Sequence, residues 1–281
     1  MYVIYIHIPI LNIRQNSTNI YYANSYNFIF FFIGSGVLLK NVLKDMFPTE
    51  CDDKSNTWHV IFEGADDYET STPLSHILDE ENDCLLATKM NGENISPDHG
   101  YPIRVILPGI AGARNVKWLQ SIKVSKKASN SPWNAYYYKE QDGSHIQKLP
   151  INSMVLSPRN GEEVERNEDG CISVEGIAYG GGTGNKITKV EVSVDNGKTW
   201  QTAKLLLDEV IENASKSSFG WVRFQLDNVK ISSSYSPTSQ VGGTTIMCRA
   251  TDESGITQPK VSPKQRGYLY NGYNEIIITS I

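Results

Sequence analysis

Apolar runs along the chain fall into two patterns, and the change comes about halfway. Val37-Leu38-Leu39-Lys40-Asn41-Val42-Leu43-Lys44-Asp45-Met46-Phe47 places apolar residues at helical spacing and stops before Pro48, which predicts a short amphipathic helix. Trp58-His59-Val60-Ile61-Phe62-Glu63-Gly64 reads as a buried strand ended by glycine. Leu74 to Leu78 predicts one or two helical turns. Cys84 to Met90 predicts a second strand, with turn chemistry in Asn91-Gly92. Arg104-Val105-Ile106-Leu107-Pro108 is a third strand and Val116 to Val124 a fourth.

From Lys126 to Leu149 the residues turn to Ser, Asn, Lys, Tyr and Gly, the composition of a surface linker. Beyond it short alternating runs follow one another: Cys171 to Ala178, Thr188 to Val194, Gly220 to Leu226 and Thr245 to Asp252. Turn clusters such as Gly180-Gly181-Gly182 and Asp195-Asn196-Gly197 separate them. About seven short strands in roughly 130 residues predict an immunoglobulin-like sandwich without the Cys…Trp…Cys pattern of antibody domains. The expected fold class is therefore a mixed α+β first part followed by an all-β immunoglobulin-like sandwich.

A length of 281 residues suits two domains, and 40% apolar with 20% charged residues describes an ordinary globular protein. The net charge of -5 argues against general nucleic-acid binding. Cys51, Cys84, Cys171 and Cys248 stand at neither metal-ligand nor disulfide-framework spacing. Residues 1–36 differ from the rest, being rich in Ile, Tyr, Asn and Phe, with Arg14 their only formal charge. Their apolar stretch from Phe28 is broken by Gly34-Ser35-Gly36 and is short for a membrane span, and the start lacks the basic residues of a signal or transit peptide. Membrane attachment is not expected, and residues 1–36 read as a leader foreign to the fold.

The most concentrated chemistry lies between Asp98 and Leu119. Asp98-His99-Gly100-Tyr101-Pro102-Ile103-Arg104 and Gly112-Ala113-Arg114-Asn115-Val116-Lys117-Trp118-Leu119 combine one imidazole, two guanidiniums and an ammonium with glycines and prolines. Glycines let the backbone approach a ligand and offer N–H groups, while Arg and Lys pair with phosphate as fork and point charge. Singly, Asp66 is a turn residue, His99 a loop residue, Arg104 a strand-edge cation and Lys117 a solvated one. The composition of the block as a whole suits the wrapping of a large anionic cofactor, and their joint spacing outweighs the single readings once it is matched to one family.

That spacing resembles the sulfite oxidase family of molybdenum enzymes, specifically the end of its molybdopterin-binding domain and its immunoglobulin-like dimerisation domain. The resemblance rests on Phe62-Glu63-Gly64-Ala65-Asp66, Met90-Asn91-Gly92, the Asp98 to Leu119 block and Trp133…Tyr138-Lys139. It continues through Pro158-Arg159-Asn160-Gly161-Glu162, Gly176 to Gly182, Val192 to Trp200 and Arg266-Gly267. It implies a division into residues 37–128 (part of the molybdopterin domain), 129–148 (a linker carrying the active-site tyrosine) and 149–281 (the dimerisation domain). It also implies molybdopterin held by Asp66, His99, Arg104, Asn115, Val116 and Lys117, with Tyr138 and Arg266 as catalytic residues on sulfite.

The reaction so implied is two-electron oxidation of sulfite to sulfate, with a cytochrome-type electron acceptor and a homodimer. The family's molybdenum ligand is a cysteine upstream of the matched blocks. No residue here is assigned to it, no haem domain is read, and the chain is expected to be an incomplete member, inactive alone. A non-catalytic dimerisation or cofactor-binding fragment and a nitrate reductase fragment stay open. Animal relatives imply the mitochondrial intermembrane space and plant relatives peroxisomes, although no targeting signal is read.

Overall fold

The computed structural model describes residues 2–5, 17–25, 28–140, 142–206, 219–231, 243–263 and 269–280, and its contacts divide into two units, Met1–Leu149 and Pro150–Ile281. In chain order the first unit runs β1 (Tyr2–Tyr5), β2 (Ser17–Ser25), β3 (Phe28–Leu38), α1 (Leu39–Met46), α2 (Pro48–Asp52), β4 (His59–Gly64), β5 (Glu69–Pro73) and α3 (Leu74–Leu78). It continues with β6 (Leu85–Met90), β7 (Glu93–Asn94), β8 (Arg104–Ile106), β9 (Leu119–Ser125) and α4 (Pro132–Ala135). Two antiparallel sheets result: β1-β9-β4-β5, and β2-β3-β6-β7 with β8 added on β6.

The expected helix from Val37 is shorter than its apolar spacing indicated. Val37 and Leu38 lie opposite Leu86 and Leu85 as the end of β3, so the sheet claims them and the helix starts at Leu39. A Cβ on Gly36 would sit 2.0 Å from the Leu86 carbonyl oxygen, so only glycine fits at this crossing. Leu39 and Leu43, one helical turn apart, are fully buried against Val60 and Phe62 of β4, Leu86 of β6 and Ile122 and Val124 of β9. The fourth expected strand also begins late, at Leu119, because Trp118 adopts the left-handed region (φ +49°) and breaks the extended run.

Strand β5 has no apolar pattern, yet Thr70, Ser71 and Thr72 are buried. Its polar atoms find partners in the stretch read as a linker. Thr72 donates to Gln147 Oε1 (2.7 Å), Gln147 Nε2 donates to the Ser71 carbonyl (3.2 Å), and the Ser129 N–H donates to Ser71 Oγ (3.0 Å). That stretch accordingly carries buried Ser129, Asn134 and Ile146. His76 of α3 is buried between Pro108 and Asn82. Its Nε2 donates to the Pro108 carbonyl (3.2 Å) and its Nδ1 faces Asn82 Nδ2 (3.1 Å), an arrangement of the neutral ring. Burial foremost, and then the charge of Lys148, lowers its pKa.

The second unit runs β10 (Asn152–Ser157), β11 (Glu163–Val164), β12 (Cys171–Tyr179), β13 (Ile187–Ser193), β14 (Gln201–Thr202), β15 (Lys204–Leu206), β16 (Trp221–Lys230), β17 (Thr244–Asp252) and β18 (Asn274–Ser280). Sheets β10-β12-β16-β15 and β11-β18-β17-β13-β14 share one core, in which Val174, Ala178 and Phe224 from the first meet Val190, Val192, Ile246 and Ile278 from the second. Alternation on β13 puts Val190 and Val192 inside and leaves Lys189 and Glu191 outside, where Glu191 accepts from Arg249 Nε (2.9 Å). The Arg249 guanidinium also lies 4.1 Å from the Trp200 ring centroid.

At the β13–β14 turn Asp195 accepts from the Thr199 hydroxyl (2.6 Å) and N–H, the Ser193 hydroxyl (2.7 Å) and the Lys198 N–H (3.0 Å), which hold its pKa down to about 2. A depressed carboxylate stabilises the fold at pH above its unfolded value, and that contribution fades as pH falls toward 2. Thermal midpoints of the wild type should therefore drop more steeply between pH 4 and pH 2 than those of Asp195→Asn. At Gly176 an added Cβ would lie 2.2 Å from the Met154 carbonyl oxygen and 2.3 Å from the Phe224 ring. Gly176→Ala should cost about 1–3 kcal/mol by overpacking, read from denaturant midpoints.

Candidate cofactor site

The site is assembled where three loops of the first unit cross. Gly64 ends β4, and the turn after it passes through Asp67 at φ +61°. The Ala65 N–H donates to the Trp118 carbonyl (2.9 Å), which fixes this turn to the segment before β9. A Cβ on Gly64 would lie 2.5 Å from Asp66 Oδ1 and 2.8 Å from the Lys117 carbonyl oxygen. Glycine here is what brings the Asp66 carboxylate beside the Lys117 backbone.

The second loop is the 3-10 turn Pro97–His99, closed by Gly100 at φ +105°. Trp118 donates from its backbone N–H to the Gly100 carbonyl (3.3 Å) and from Nε1 to the Pro97 carbonyl (2.8 Å). Lys117 Nζ donates to the Asp98 carbonyl (3.0 Å) and lies 4.5 Å from the Trp118 ring centroid. A Cβ on Gly100 would be 2.8 Å from Lys117 Cβ, so this contact too depends on glycine. The His99 ring shares a hydrogen bond with Ser96 Oγ (2.7 Å).

Arg104 on β8 links the second loop to the third. Its Nη1 donates to the His99 carbonyl (3.0 Å) and its Nη2 to the Asn115 carbonyl (3.5 Å), while the buried Nε has no hydrogen-bond partner. Burial lowers its pKa without discharging it. Asn115 Oδ1 accepts from the Leu107 N–H (2.6 Å). Val116 is a core residue whose carbonyl accepts from the Val105 N–H (2.9 Å). Among the described residues neither Arg104 nor Lys117 makes an ion pair.

Asp66, His99, Arg104, Asn115, Val116 and Lys117 are thus gathered around one crossing. Asn115 and Val116 build its frame, and the other four supply its charge and polarity. Tyr138 is joined to the same block through Arg114, whose Nη2 lies 3.4 Å from the Tyr138 carbonyl oxygen. Arg266 lies outside the described residues. Arg114 is the residue that sequence reasoning counted among the ligand-facing cations without giving it its own role. It is fully buried and turned inward, and all of its partners are neutral protein oxygens. Only the high density of charge in a glycine-rich block marked it.

An unpaired buried guanidinium N–H, a carboxylate and two glycine clefts fit a ligand with anionic and amide-like parts. Family models match both units: an oxidoreductase molybdopterin binding domain over residues 32–133, about two thirds of the first, and a Mo-co oxidoreductase dimerisation domain over residues 143–280, nearly all of the second. With sulfite oxidases 35% identical to it over most of its length, the chain belongs to the sulfite oxidase family.

Among its relatives, mitochondrial sulfite oxidase of Mus musculus is 35% identical over 263 residues, covering 86% of this chain and 45% of the relative. That of Drosophila melanogaster is 35% identical over 271 residues, covering 88% and 45%. The chain thus spans just under half the length of these sulfite oxidases. An NADH nitrate reductase of Ulva prolifera is 37% identical over 215 residues, covering 69% of this chain and 24% of the relative. The sulfane dehydrogenase SoxCD of Paracoccus pantotrophus shares the fold, with a TM-score of 0.70 at 24% identity over 96% of this chain and 71% of that one.

The glycine clefts make a direct test. Gly64→Ala and Gly100→Ala should each cost about 1–3 kcal/mol, because backbone or a β-carbon must move. Gly112→Ala, where nothing lies within 4 Å, should change stability by less than about 0.5 kcal/mol. Urea midpoints of the three variants check the order.

Proposed function

We propose that this chain serves sulfite oxidation at a molybdenum centre, with its first unit cradling molybdopterin and its second pairing subunits. The observation that carries the reading is the crossing at Gly64, Gly100 and Arg104, where a carboxylate lies with two cations that make no ion pair among the described residues, within the stretch matched by the molybdopterin domain. When bound, the cofactor supplies two-electron redox chemistry at its metal. Asp66 would accept from N–H groups of the pterin, and Arg104 and Lys117 would hold its phosphate, with His99 beside them. Tyr138 would help hold sulfite through its phenol; the like role that the resemblance gives Arg266 falls outside the described residues.

The metal's thiolate is not among these assignments. Cys84 and Cys248 sit in the two cores, where burial pushes both thiols up, Cys248 to about 12, so they stay protonated near neutrality. Among the described residues no three His, Cys, Asp or Glu side chains gather as a metal site.

Two packed sheets sharing one core are the architecture of an immunoglobulin-like domain, and the match to a dimerisation domain supports a homodimer. The mitochondrial names of the relatives support that compartment, with the intermembrane space and a cytochrome-type acceptor as its finer form. Nitrate reduction is the second reading, favoured by the Ulva relative. The sulfite enzymes match more of this chain, 86% against 69%.

The full chain, produced in a host that makes molybdopterin, should retain pterin, measured by fluorescence after oxidation. Arg104→Ala and Lys117→Ala should retain about 10-fold less or lower, the effect of losing one charge-assisted hydrogen bond. Molybdenum should fall well below one atom per pterin. Dye reduction should follow whatever molybdenum is present with sulfite and should not occur with nitrate. Wild-type protein free of pterin, or turnover on nitrate alone, would overturn the proposal.

A further inference from the structure

Arg114 is the last residue of the 3-10 turn Gly112–Arg114, and its side chain is fully buried. All its donors are used. Nε and Nη2 each donate to the Ile146 carbonyl at 3.1 Å, Nη2 also reaches the Tyr138 carbonyl at 3.4 Å, and Nη1 donates to Thr70 Oγ1 and Asn134 Oδ1. No carboxylate is among these partners.

Apart from Thr70 on β5, those acceptors belong to the segment that carries Tyr138, with Asn134 before it and Ile146 after it. Asn134 is in α4, where its own Nδ2 donates to the Ser129 carbonyl (2.8 Å). Ile146 follows the hairpin in which Lys139 faces His145 and the Glu140 N–H donates to the Ser144 carbonyl (2.9 Å). Between them Tyr138 holds φ at +52°, a conformation unfavourable for a tyrosine, and the Ile146 N–H donates to its carbonyl (2.8 Å). One planar guanidinium therefore ties the entry to the segment, its exit and the left-handed residue within it. A lysine keeps the charge but offers donors from one nitrogen, which cannot span these acceptors.

We propose that Arg114 is a positioning residue for Tyr138, holding the left-handed backbone from which the phenol projects into the site. The consequence for sulfite rests on the functional reading above, whereas the positioning itself does not.

The test uses the full chain in three forms: wild type, Arg114→Lys, and Phe62→Leu as a core variant with a comparable loss of thermal midpoint. Amide exchange in the 136–147 peptide should quicken about 10-fold in Arg114→Lys, with β12 and β17 peptides unchanged. Tetranitromethane should nitrate Tyr138 of that variant as fast as the exposed Tyr136, and more slowly in the wild type. Phe62→Leu should leave both readouts as in the wild type. If Phe62→Leu moves them as much as Arg114→Lys, or if Arg114→Lys moves neither, the positioning role is overturned. Should Arg114→Lys fail to fold, Thr70→Val removes one acceptor and should quicken exchange in the same peptide to a smaller degree; no change would overturn the proposal. Millimolar sulfate should protect Tyr138, but not Tyr136, from nitration in the wild type. Loss of that protection in Arg114→Lys supports the consequence for sulfite. Its absence from the wild type, with the exchange result intact, removes Tyr138 from the oxyanion pocket and leaves the positioning standing.

Discussion

A guanidinium taken out of water must give each N–H an acceptor, and Arg114 meets that demand with neutral oxygens drawn from three parts of the first unit. The requirement fixes much else. Thr70 has to face inward on β5, Asn134 has to come at the end of α4, and the 138–146 hairpin has to fold back until the Ile146 carbonyl reaches the fork. With no carboxylate among its hydrogen-bond partners, the charge leans on the dipoles of these oxygens, so small displacements of one partner are felt by the others. The segment bearing Tyr138 is ordered by this interior contact rather than by an apolar stripe of its own.

Arg104, ten residues earlier, follows the opposite logic. It donates to two carbonyls and keeps a third donor, Nε, buried and unmatched. An orphaned donor in a folded protein calls for an explanation, and a ligand acceptor is the one consistent with the molybdopterin match. The two guanidiniums of one sequence block thus differ: Arg114 spends every donor on the protein, whereas Arg104 keeps Nε unmatched, the donor that the proposed function gives to a ligand. Gly64 and Gly100 set the distance between the loops that meet there, since a single methyl at either would push Lys117 away.

Most of the strands were legible because burial writes itself as apolar runs. β4, β6, β12, β13, β16 and β17 all lie on such runs, and their ends moved by a few residues where backbone conformation or pairing took over. The gathering of Asp66, His99, Arg104 and Lys117 was legible only through their joint spacing, because each alone is an ordinary surface or turn residue. Two features stayed hidden for a common reason. β5 is buried without being apolar, and the stretch after Lys126 looks like a linker by composition. Both are held by side-chain hydrogen bonds between residues 58 and 75 positions apart, which no local pattern encodes.

That reliance on distant polar partners constrains how the sequence can drift. An apolar strand tolerates one aliphatic residue for another with modest loss, since the core only asks for volume. Thr70, Ser71 and Thr72 answer instead to Arg114, Asn134, Gln147 and Ser129, and a change at one leaves a buried donor or acceptor stranded at the other. Neutral divergence of this strand must therefore proceed in matched pairs, so the pace at which β5 can vary is set by the residues that shape the tyrosine segment.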